Sequence, residues 1–405
     1  MMPPQIMGGG RVATATLRLQ RRTVGGSDVR YFFSWISDSS EKTKAPEATP
    51  APTHIPVLLN ETVSLWVNPS TSEAKPQRFF VDGTAGFGGH SKELLLRNPE
   101  AQLLCVDRDP EILAIAKANL RDFHSRVVFH NGSYAQLDPS LLQSVGFPDQ
   151  VDGICVDLGA NSFHFDEPRR GFSHMRDGPL DMRYNQQDRG NLTAADVVNT
   201  FSEVQLTKIF REFGEERLAK EYAKAIVRDR EERGVVFANT SDLRECIERI
   251  ARKWNADGKR GKKRGGHSVS VHPATKCFQA LRIYVNDELQ HVATGVEQLV
   301  TQLAPQGRLA TIAFHSLEDR PIKLLFRRLD TMARRAEDEE YEDYFDEDFD
   351  EDDEGEDTSA QTILQRLGSR RFRLVKRKAI KAKAEEIAEN PRSRSARLRC
   401  IERVE

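Results

Sequence analysis

Apolar runs of strand length alternate with helix-period segments between residues 79 and 156. A chain that leaves a strand, forms a helix and returns to the same sheet makes parallel neighbours, so this rhythm predicts an α/β fold with helices on both faces of a parallel sheet. The predicted strands are 79–81, 101–106, 126–130 and 151–156, and the predicted helices between them are 89–97 and 110–120.

The rhythm changes after Asp157, where apolar residues recur at helical rather than strand spacing. One set of four falls at i, i+3, i+4 and i+7, which places its members on one face of a helix. No strand pattern lies between 163 and 253, so we expect a helical insertion in the sheet. The four residues are Leu206, Ile209, Phe210 and Phe213.

Two later segments return to strand patterns. The apolar run 308–314 predicts that the sheet resumes after the insertion. Near the end of the chain, Ala396, Leu398 and Cys400 alternate with arginines, and a period of two predicts a half-buried strand that closes the fold.

A glycine-rich turn, 82–90, joins the first strand to the first helix. Its four glycines allow positive φ and let a ligand approach the main chain beside a helix N-terminus. Asp107 ends the second strand about twenty residues later, where nucleotide-binding α/β folds place an acid for ribose hydroxyls. Tyr134 and Asp157 also follow strands, so the carboxyl edge of the sheet is the predicted ligand site.

Two other interpretations of this turn stay open on these residues alone. A plain strand-to-helix turn also uses glycines, and so does the cofactor site of a nicotinamide-dependent dehydrogenase. The glycines at 83, 86, 88 and 89 do not follow the G-x-G-x-x-G order, which counts against the dehydrogenase.

The formal net charge of −2 conceals an uneven distribution of acids. Sixteen of the 62 Asp and Glu residues lie in 337–357, which contains no Lys or Arg, and we expect this acidic run to be disordered. The rest of the chain keeps 46 acids against 60 bases, a balance suited to a polyanionic partner such as RNA.

The composition also bears on the cellular compartment, on metal binding and on membrane insertion. Residues 1–52 hold several arginines and few acids, which is typical of an organelle-import presequence followed by a linker, with the mitochondrion favoured over the plastid. The five cysteines form no C-x-x-C pair, so we expect no metal site. No run of eighteen apolar residues predicts a membrane span.

These patterns divide the chain into six predicted regions. They are a presequence and linker (1–52), the first part of the sheet domain (53–163), a helical insertion (164–266), the second part of the sheet domain (267–330), an acidic disordered segment (331–362), and a basic segment with the closing strand (363–405).

Eight segments, in the same order, resemble signatures of the S-adenosylmethionine-dependent methyltransferases that modify N4 of a cytidine in small-subunit ribosomal RNA. The resemblance implies a Rossmann-like class I methyltransferase sheet, with the insertion recognising the substrate. The segments are HIPVLLNE (54–61), DGTAGFGGH (82–90), DRDP (107–110), RGFSHMRDGPLDMR (170–183), GEER (214–217), HPATKCFQALRI (272–283), HSLEDR (315–320) and NPRSRS (390–395).

The resemblance also implies a cofactor, S-adenosyl-L-methionine, and a role for particular residues. Gly88, Gly89 and His90 correspond to the cofactor loop. Asp107 corresponds to the ribose-binding acid and Tyr134 to an aromatic residue beside the adenine. Asp157 is the acid that ends the fourth strand, and His164 stands at a cofactor-contact position where the family usually has Gln.

Methyl transfer to an amino group requires a polar acceptor at the nitrogen, because its lone pair is delocalised into the base. We expect Asp157 and Asn161 to be the polar groups there, although Asp157 could instead only bind the cofactor. The expected wall of the RNA pocket comprises Arg170, Arg176, Arg183 and His315.

The expected partner is therefore small-subunit ribosomal RNA, free or in the assembling subunit, with a homodimer as a further option. The expected substrate is the 12S/16S-type RNA of an organelle. The alternative function is a non-catalytic RNA-binding assembly factor that keeps the fold, which the altered segment 161–164 motivates.

Overall fold

The computed structural model describes residues 55–68, 78–256, 272–337 and 366–404. The predicted presequence and most of the acidic run lie outside these ranges. Seven strands form the sheet: β1 (Phe79–Asp82), β2 (Gln102–Asp107), β3 (Val127–Asn131), β4 (Val151–Asp157), β5 (Leu303–Ala313), β6 (Phe372–Leu374) and β7 (Arg397–Arg403).

Thirteen described helices connect and cover the strands. The first five are α1 (Leu59–Trp66), α2 (Gly89–Arg97), α3 (Pro110–Asn119), α4 (Pro139–Ser144) and α5 (Ser162–Asp166). Then come α6 (Ala194–Thr200), α7 (Glu203–Glu212), α8 (Ala219–Arg233), α9 (Thr240–Ala256), α10 (Ala274–Asn286), α11 (Glu288–Thr301), α12 (Ser316–Glu337) and α13 (Ala384–Glu389). Short 3₁₀ turns lie at Arg121–Phe123, Tyr134–Gln136, Pro168–Arg170 and Pro391–Ser395. None of the helices described is both long and apolar enough to cross a membrane.

The strand order β3-β2-β1-β4-β5-β7-β6 confirms the predicted Rossmann-like sheet. Strands β1 to β5 pair in parallel, and β7 runs antiparallel to both β5 and β6. The chain winds outward from β1 through β2 to β3 and then returns to place β4 on the other side of β1. The strand order therefore reverses at β1, and open α/β sheets bind ligands beside the carboxyl ends of the strands at such a point.

Alternate residues of the central strands enter two separate cores. Val81 and Leu104 pack with α11 and α12 on one face, whereas Phe80 and Leu103 pack with α2 and α3 on the other. Successive side chains in a strand point to opposite faces, so a strand covered on both faces is apolar throughout. This burial explains why continuous apolar runs marked the strands in the sequence.

A third core lies within the insertion between β4 and β5. Helices α6 to α9 bury a shared cluster, as the helical spacing predicted. Cys277, Phe278 and Leu281 of α10 belong to the same cluster, so this helix packs with the insertion, whereas the predicted division at 267 assigned it to the second part of the sheet domain. The apolar face of α10 packs on the other helices of the insertion, and the chain rejoins the sheet layer with α11.

The predicted acidic disordered segment starts at 331, but α12 continues to Glu337, so its first residues are helical. Leu329 and Ala333 are buried one helical turn apart, so the apolar face of the helix extends past position 331.

The closing strand β7 is held to α12 by a buried ionic cluster. Asp319 accepts hydrogen bonds from Arg397 Nη1 at 3.0 Å, Arg399 Nε at 2.7 Å and Arg399 Nη2 at 3.0 Å. Burial opposes ionisation of this carboxyl group, but the two arginines outweigh it and lower the pKa of Asp319. The predicted C-terminal strand is thus confirmed, and an ionic contact with Asp319 of α12 holds it in place.

Replacement of this carboxylate should destabilise the fold. We expect Asp319→Ala to lower the free energy of unfolding by about 3 kcal/mol, because two arginines lose a buried partner. Because the pKa of Asp319 is lowered, its carboxylate stabilises the fold at pH values above the ordinary carboxyl pKa, and this stabilisation is lost as pH falls through the lowered pKa. The difference in stability between the unmodified protein and Asp319→Ala should therefore be smaller in acid. Chemical denaturation at pH 7 and pH 3, with the exposed Asp122→Ala as control, measures both effects. Equal stability of the two variants at pH 7 would contradict the prediction.

Candidate functional site

A cavity of about 570 Å³ opens at the carboxyl ends of β1, β2 and β4. It is of the size that takes a cofactor-sized ligand. Residues of the sheet edge line one part, and the insertion and the C-terminal segment line the rest. The sheet-edge residues include Gly83, Gly86, Gly89, His90, Asp107, Tyr134 and Asp157, and the others include Asn161, His164, Tyr184, Arg282, Glu288, Glu318, Arg392 and Arg394.

The glycine-rich turn forms the floor of this cavity because side chains would not fit there. A Cβ on Gly83 would lie 2.9 Å from Tyr134 Cβ, and one on Gly89 would lie 2.2 Å from Pro56 Cγ. Gly86 and Gly88 have φ of +53° and +79°, values that favour glycine. Gly88 does not itself line the cavity; it starts α2 beside it. The turn therefore offers bare main chain to a ligand.

Asp107 is held at the edge of the cavity by two main-chain donors. Its Oδ2 accepts from Gly86 N and its Oδ1 from Asp109 N, each at 2.9 Å. Burial raises the pKa of Asp107 to about 7. The carboxylate is thus fixed in place and desolvated, as a group that accepts bonds from ribose hydroxyls should be. Its assignment as the ribose acid stays a prediction that this geometry supports.

Tyr134 packs between the glycine turn and α11. Its ring atoms lie 2.5 and 2.9 Å from the position of a Cβ on Gly295, so only glycine fits on that helix. Burial raises the pKa of Tyr134, and the phenol stays neutral. The fixed ring lines the cavity and provides a flat apolar surface for a base, consistent with its predicted place beside adenine.

Asp157 combines a fixed main chain with an unsatisfied carboxylate. Its N–H donates to Thr84 Oγ1 at 2.6 Å, while Oδ1 is buried without a hydrogen-bond partner. Oδ2 lies 4.0 Å from Nδ1 of His90. Burial, and then the charges of Asp82 and Glu318, raise the pKa of Asp157 well above its ordinary value. A buried acceptor without a partner is costly, so this atom is suited to a donor on the ligand.

The His90 ring is oriented by the N-terminal segment. Its Nε2 lies 2.9 Å from the carbonyl oxygen of Val57, and a carbonyl only accepts, so Nε2 carries the proton. In the neutral ring, Nδ1 is then an acceptor that faces Asp157. The two acceptors are 4.0 Å apart, beyond hydrogen-bond distance, so neither satisfies the other.

Asn161 caps a helix and also lines the cavity. Its Oδ1 accepts from Phe163 N at 2.9 Å and caps α5. The amide nitrogen lies 3.0 Å from the position of a Cβ on Gly86, so Asn161 lines the cavity near the glycine turn. Because the oxygen already serves as the cap, Asp157 is the better acceptor for an amino group, and a catalytic role of Asn161 stays a prediction.

His164 belongs to a buried network rather than standing alone in the cofactor site. Its Nδ1 accepts from Asn161 N at 3.0 Å, and its Nε2 donates to Asp109 Oδ2 at 2.9 Å. Burial outweighs the contact with Asp109 and lowers the pKa of His164, which keeps the ring neutral. The ring lines the cavity, but both nitrogens have protein partners, so its predicted contact with the cofactor would use carbon atoms.

Sequence reasoning gave no role to three charged residues in the far wall of the cavity, Arg282, Glu288 and Glu318. His315, which it placed in the RNA pocket, contacts Glu318 behind this wall and is not among the lining residues. Arg282 lies 2.8 Å from Glu288 and 3.9 Å from Glu318, and His315 lies 2.9 Å from Glu318. Ligand-type atoms of Glu288, His315 and Glu318 lie within 4.8 Å of one another, a spacing that a cation could use. The guanidinium of Arg282 contacts both carboxylates and offsets part of their charge. In the sequence, Arg282 lies in the HPATKCFQALRI signature and Glu318 in the HSLEDR signature.

The arginines predicted to hold RNA have mostly internal partners, and that prediction is corrected. Arg170 is buried and lies 2.6 Å from Asp109 Oδ2. Arg183 forms a two-point contact with Asp181, and the half-exposed Arg176 pairs with Asp166. Arg170 therefore ties the insertion to the segment after β2, whereas Arg183 and Arg176 pair within the insertion. The exposed arginines at the cavity belong to the C-terminal NPRSRS motif instead.

Comparisons with known proteins give a consistent result. Residues 51–338 and 347–404 match the model of a family described as the MraW methylase family. The chain is 36% identical over 354 residues to the ribosomal RNA small subunit methyltransferase H of Treponema denticola, covering 87% of this chain and 98% of that one. It is 44% identical over 281 residues to the protein of the same name from Leptospira biflexa, covering 68% and 83%.

Loss of the Asp107 carboxylate should weaken cofactor binding. We expect Asp107→Ala to lower the affinity for S-adenosylmethionine by about 1.5–3 kcal/mol, since bonds to a charged acceptor are lost. Because the pKa of Asp107 is about 7, binding to the unmodified protein should also weaken as pH falls through this value. Calorimetric titration across pH 6–8, with the exposed Asp122→Ala as control, tests both. An unchanged affinity in Asp107→Ala would remove this residue from the site.

Proposed function

The chain belongs to the MraW methylase family of S-adenosylmethionine-dependent ribosomal RNA methyltransferases, and we propose that it methylates N4 of one cytidine in the small-subunit RNA of an organelle. The observation that carries the reaction is the partnerless Oδ1 of Asp157, which lies between the glycine turn and the insertion wall. The proposed compartment, the mitochondrion, rests on the arginine-rich leader.

The cavity fits a cofactor of this kind on three grounds. Main chain without side chains lies at Gly83 and Gly86, the Asp107 carboxylate is fixed beside them, and the Tyr134 ring provides an apolar surface. When bound, S-adenosylmethionine supplies an electrophilic methyl group on a sulfonium.

Asp157 has the properties that an amino nucleophile requires. A cytosine amino group becomes nucleophilic only as an acceptor draws away its proton, and Asp157 Oδ1 is the unsatisfied acceptor of this edge. The raised pKa makes its carboxylate a stronger base than an ordinary aspartate. His90 Nδ1 lies 4.0 Å from Oδ2, beyond hydrogen-bond distance, so it contributes a nearby polar group rather than a direct partner. Thr84 holds the main chain of Asp157, so the carboxylate keeps its position.

The substrate class agrees with the shape and charge of the molecule. A base must leave its stack to enter a cavity at the sheet edge, and single-stranded RNA permits this at low cost. The insertion and C-terminal segment surround the entrance, and the chain outside its acidic run has an excess of 14 positive charges. RNA binding should therefore weaken with salt.

The alternative is an RNA-binding assembly factor without catalysis. It was motivated by the departure at 161–164, yet here Asn161 and His164 form an ordered cap and a buried hydrogen-bonded network. The segment thus keeps the cavity's shape with different residues. The intact carboxylates at Asp107 and Asp157 favour the enzyme over the assembly factor.

Removal of the acceptor charge should act on turnover rather than on binding. We expect Asp157→Asn to lower kcat by about 10²–10⁴-fold, with a smaller effect on the affinity for RNA. In the unmodified enzyme, kcat should fall as pH drops through the raised pKa of Asp157, because only the ionised form accepts the proton. Single-turnover methylation at several pH values measures this, with the exposed Asp122→Asn as control. A kcat equal to that of the control would exclude Asp157 as the base.

The proposed substrate can be tested in cells. We expect loss of the protein to remove N4-methylcytidine from mitochondrial small-subunit RNA and to leave cytosolic and plastid RNA unchanged, as measured by nucleoside mass spectrometry. Expressing the Asp157→Asn variant in cells that lack the protein separates the two functions. If the protein acts as an enzyme, N4-methylcytidine stays absent from the RNA. If it acts as an assembly factor, the variant restores assembly of the small subunit. Persistence of the methylated nucleoside after loss of the protein would contradict the proposal, and loss of a C5 methyl instead would indicate a different base chemistry.

A further inference from the structure

The NPRSRS motif, 390–395, lies at the mouth of the cavity, where the mechanism above gives it no role. Every third position is buried: Ser393 is fully buried and Ala396 nearly so, whereas Arg392 and Arg394 on either side of Ser393 are exposed. Both arginines line the cavity. The buried Ser393 thus fixes the backbone between two exposed cationic side chains.

Several hydrogen bonds hold this segment in one conformation. Asn390 Nδ2 donates to the carbonyl oxygen of Ile55 at 3.1 Å, and its Oδ1 accepts from Arg392 N at 3.3 Å. Ser393 Oγ donates to Asn390 O at 2.8 Å. The turn is therefore attached to the N-terminal segment and to itself. Side chains on such a support lose less entropy when they bind a ligand.

The charges at this mouth do not balance. Arg176 Nη2 lies 3.6 Å from Asp166 Oδ1, and Arg392 Nη2 lies 3.3 Å from both oxygens of the same carboxylate. Arg394 has no acidic partner among the residues that the structure describes. Two arginines thus share one aspartate while Arg394 has none, and Asp166 and its two partners are about half exposed. Such exposed pairs are weak and are readily exchanged for another anion.

From this arrangement we propose that Arg394, assisted by Arg392, binds an RNA phosphate next to the target nucleotide. The inference rests on the proposed function and adds to it the group that anchors the substrate. A base that enters the cavity leaves its flanking phosphates at the rim, where the two arginines are exposed. The guanidinium fork matches the oxygens of a phosphate.

The test compares Arg394→Gln with Arg377→Gln, an exposed arginine of the C-terminal segment that does not line the cavity. Affinity for a short single-stranded RNA containing the target sequence is measured at several salt concentrations. We expect Arg394→Gln to bind about tenfold more weakly or worse at low salt, with the salt slope reduced by about one. Arg377→Gln should match the unmodified protein, and Arg394→Lys should recover the slope but not all of the affinity.

Two further readouts separate failure of this inference from failure of the proposed function. Affinity for S-adenosylmethionine should be the same in Arg394→Gln and the unmodified protein, which shows that the cavity is intact. In methylation, the KM for RNA should rise while the KM for the cofactor stays constant. An active unmodified enzyme with no change in RNA affinity or salt slope in Arg394→Gln would overturn the assignment of Arg394 alone. Absence of N4 methylation by the unmodified enzyme would instead overturn the proposed function.

Discussion

The site depends on the placement of three carboxylates at the ends of three adjacent parallel strands. Asp82, Asp107 and Asp157 lie at one sheet edge, and burial raises the pKa of each. The fold offsets part of this cost: Ser91 donates to Asp82, and main-chain N–H groups donate to Asp107. Only Asp157 keeps an oxygen without a partner. The glycine turn and α2 thus supply hydrogen bonds to Asp107 and Asp82, and they leave one carboxylate oxygen of Asp157 available to a ligand.

The sheet was predictable because its strands are buried on both faces. Phe80 and Val81 face opposite cores, so every position of β1 is under the same selection for burial. The sheet-edge residues were predictable for a related reason, since parallel strands end at one edge and loops after strands must lie there. The local sequence pattern was therefore sufficient to predict the strands and the residues at their carboxyl ends.

The remaining wall was not predictable, since it is made by contacts between distant segments. Arg170 and Arg394 are both arginines in basic signatures, yet one is buried beside Asp109 and the other is exposed at the cavity. Charge patterning cannot distinguish them, because burial of an arginine depends on whether a carboxylate from another element reaches it. The packing of α10 was not predictable for the same reason, because its apolar face could have packed either on the sheet or on the other helices of the insertion.

The closing strand makes the cavity depend on contacts between distant parts of the sequence. Gly83 and Arg394 line the same cavity although they lie 311 positions apart. The turn that contains Arg394 leads directly into β7, which pairs with the edge of β5. Contacts between such distant positions are slow to form, because the chain between them must first be ordered. The parallel strands can therefore pair before this side of the entrance is in place.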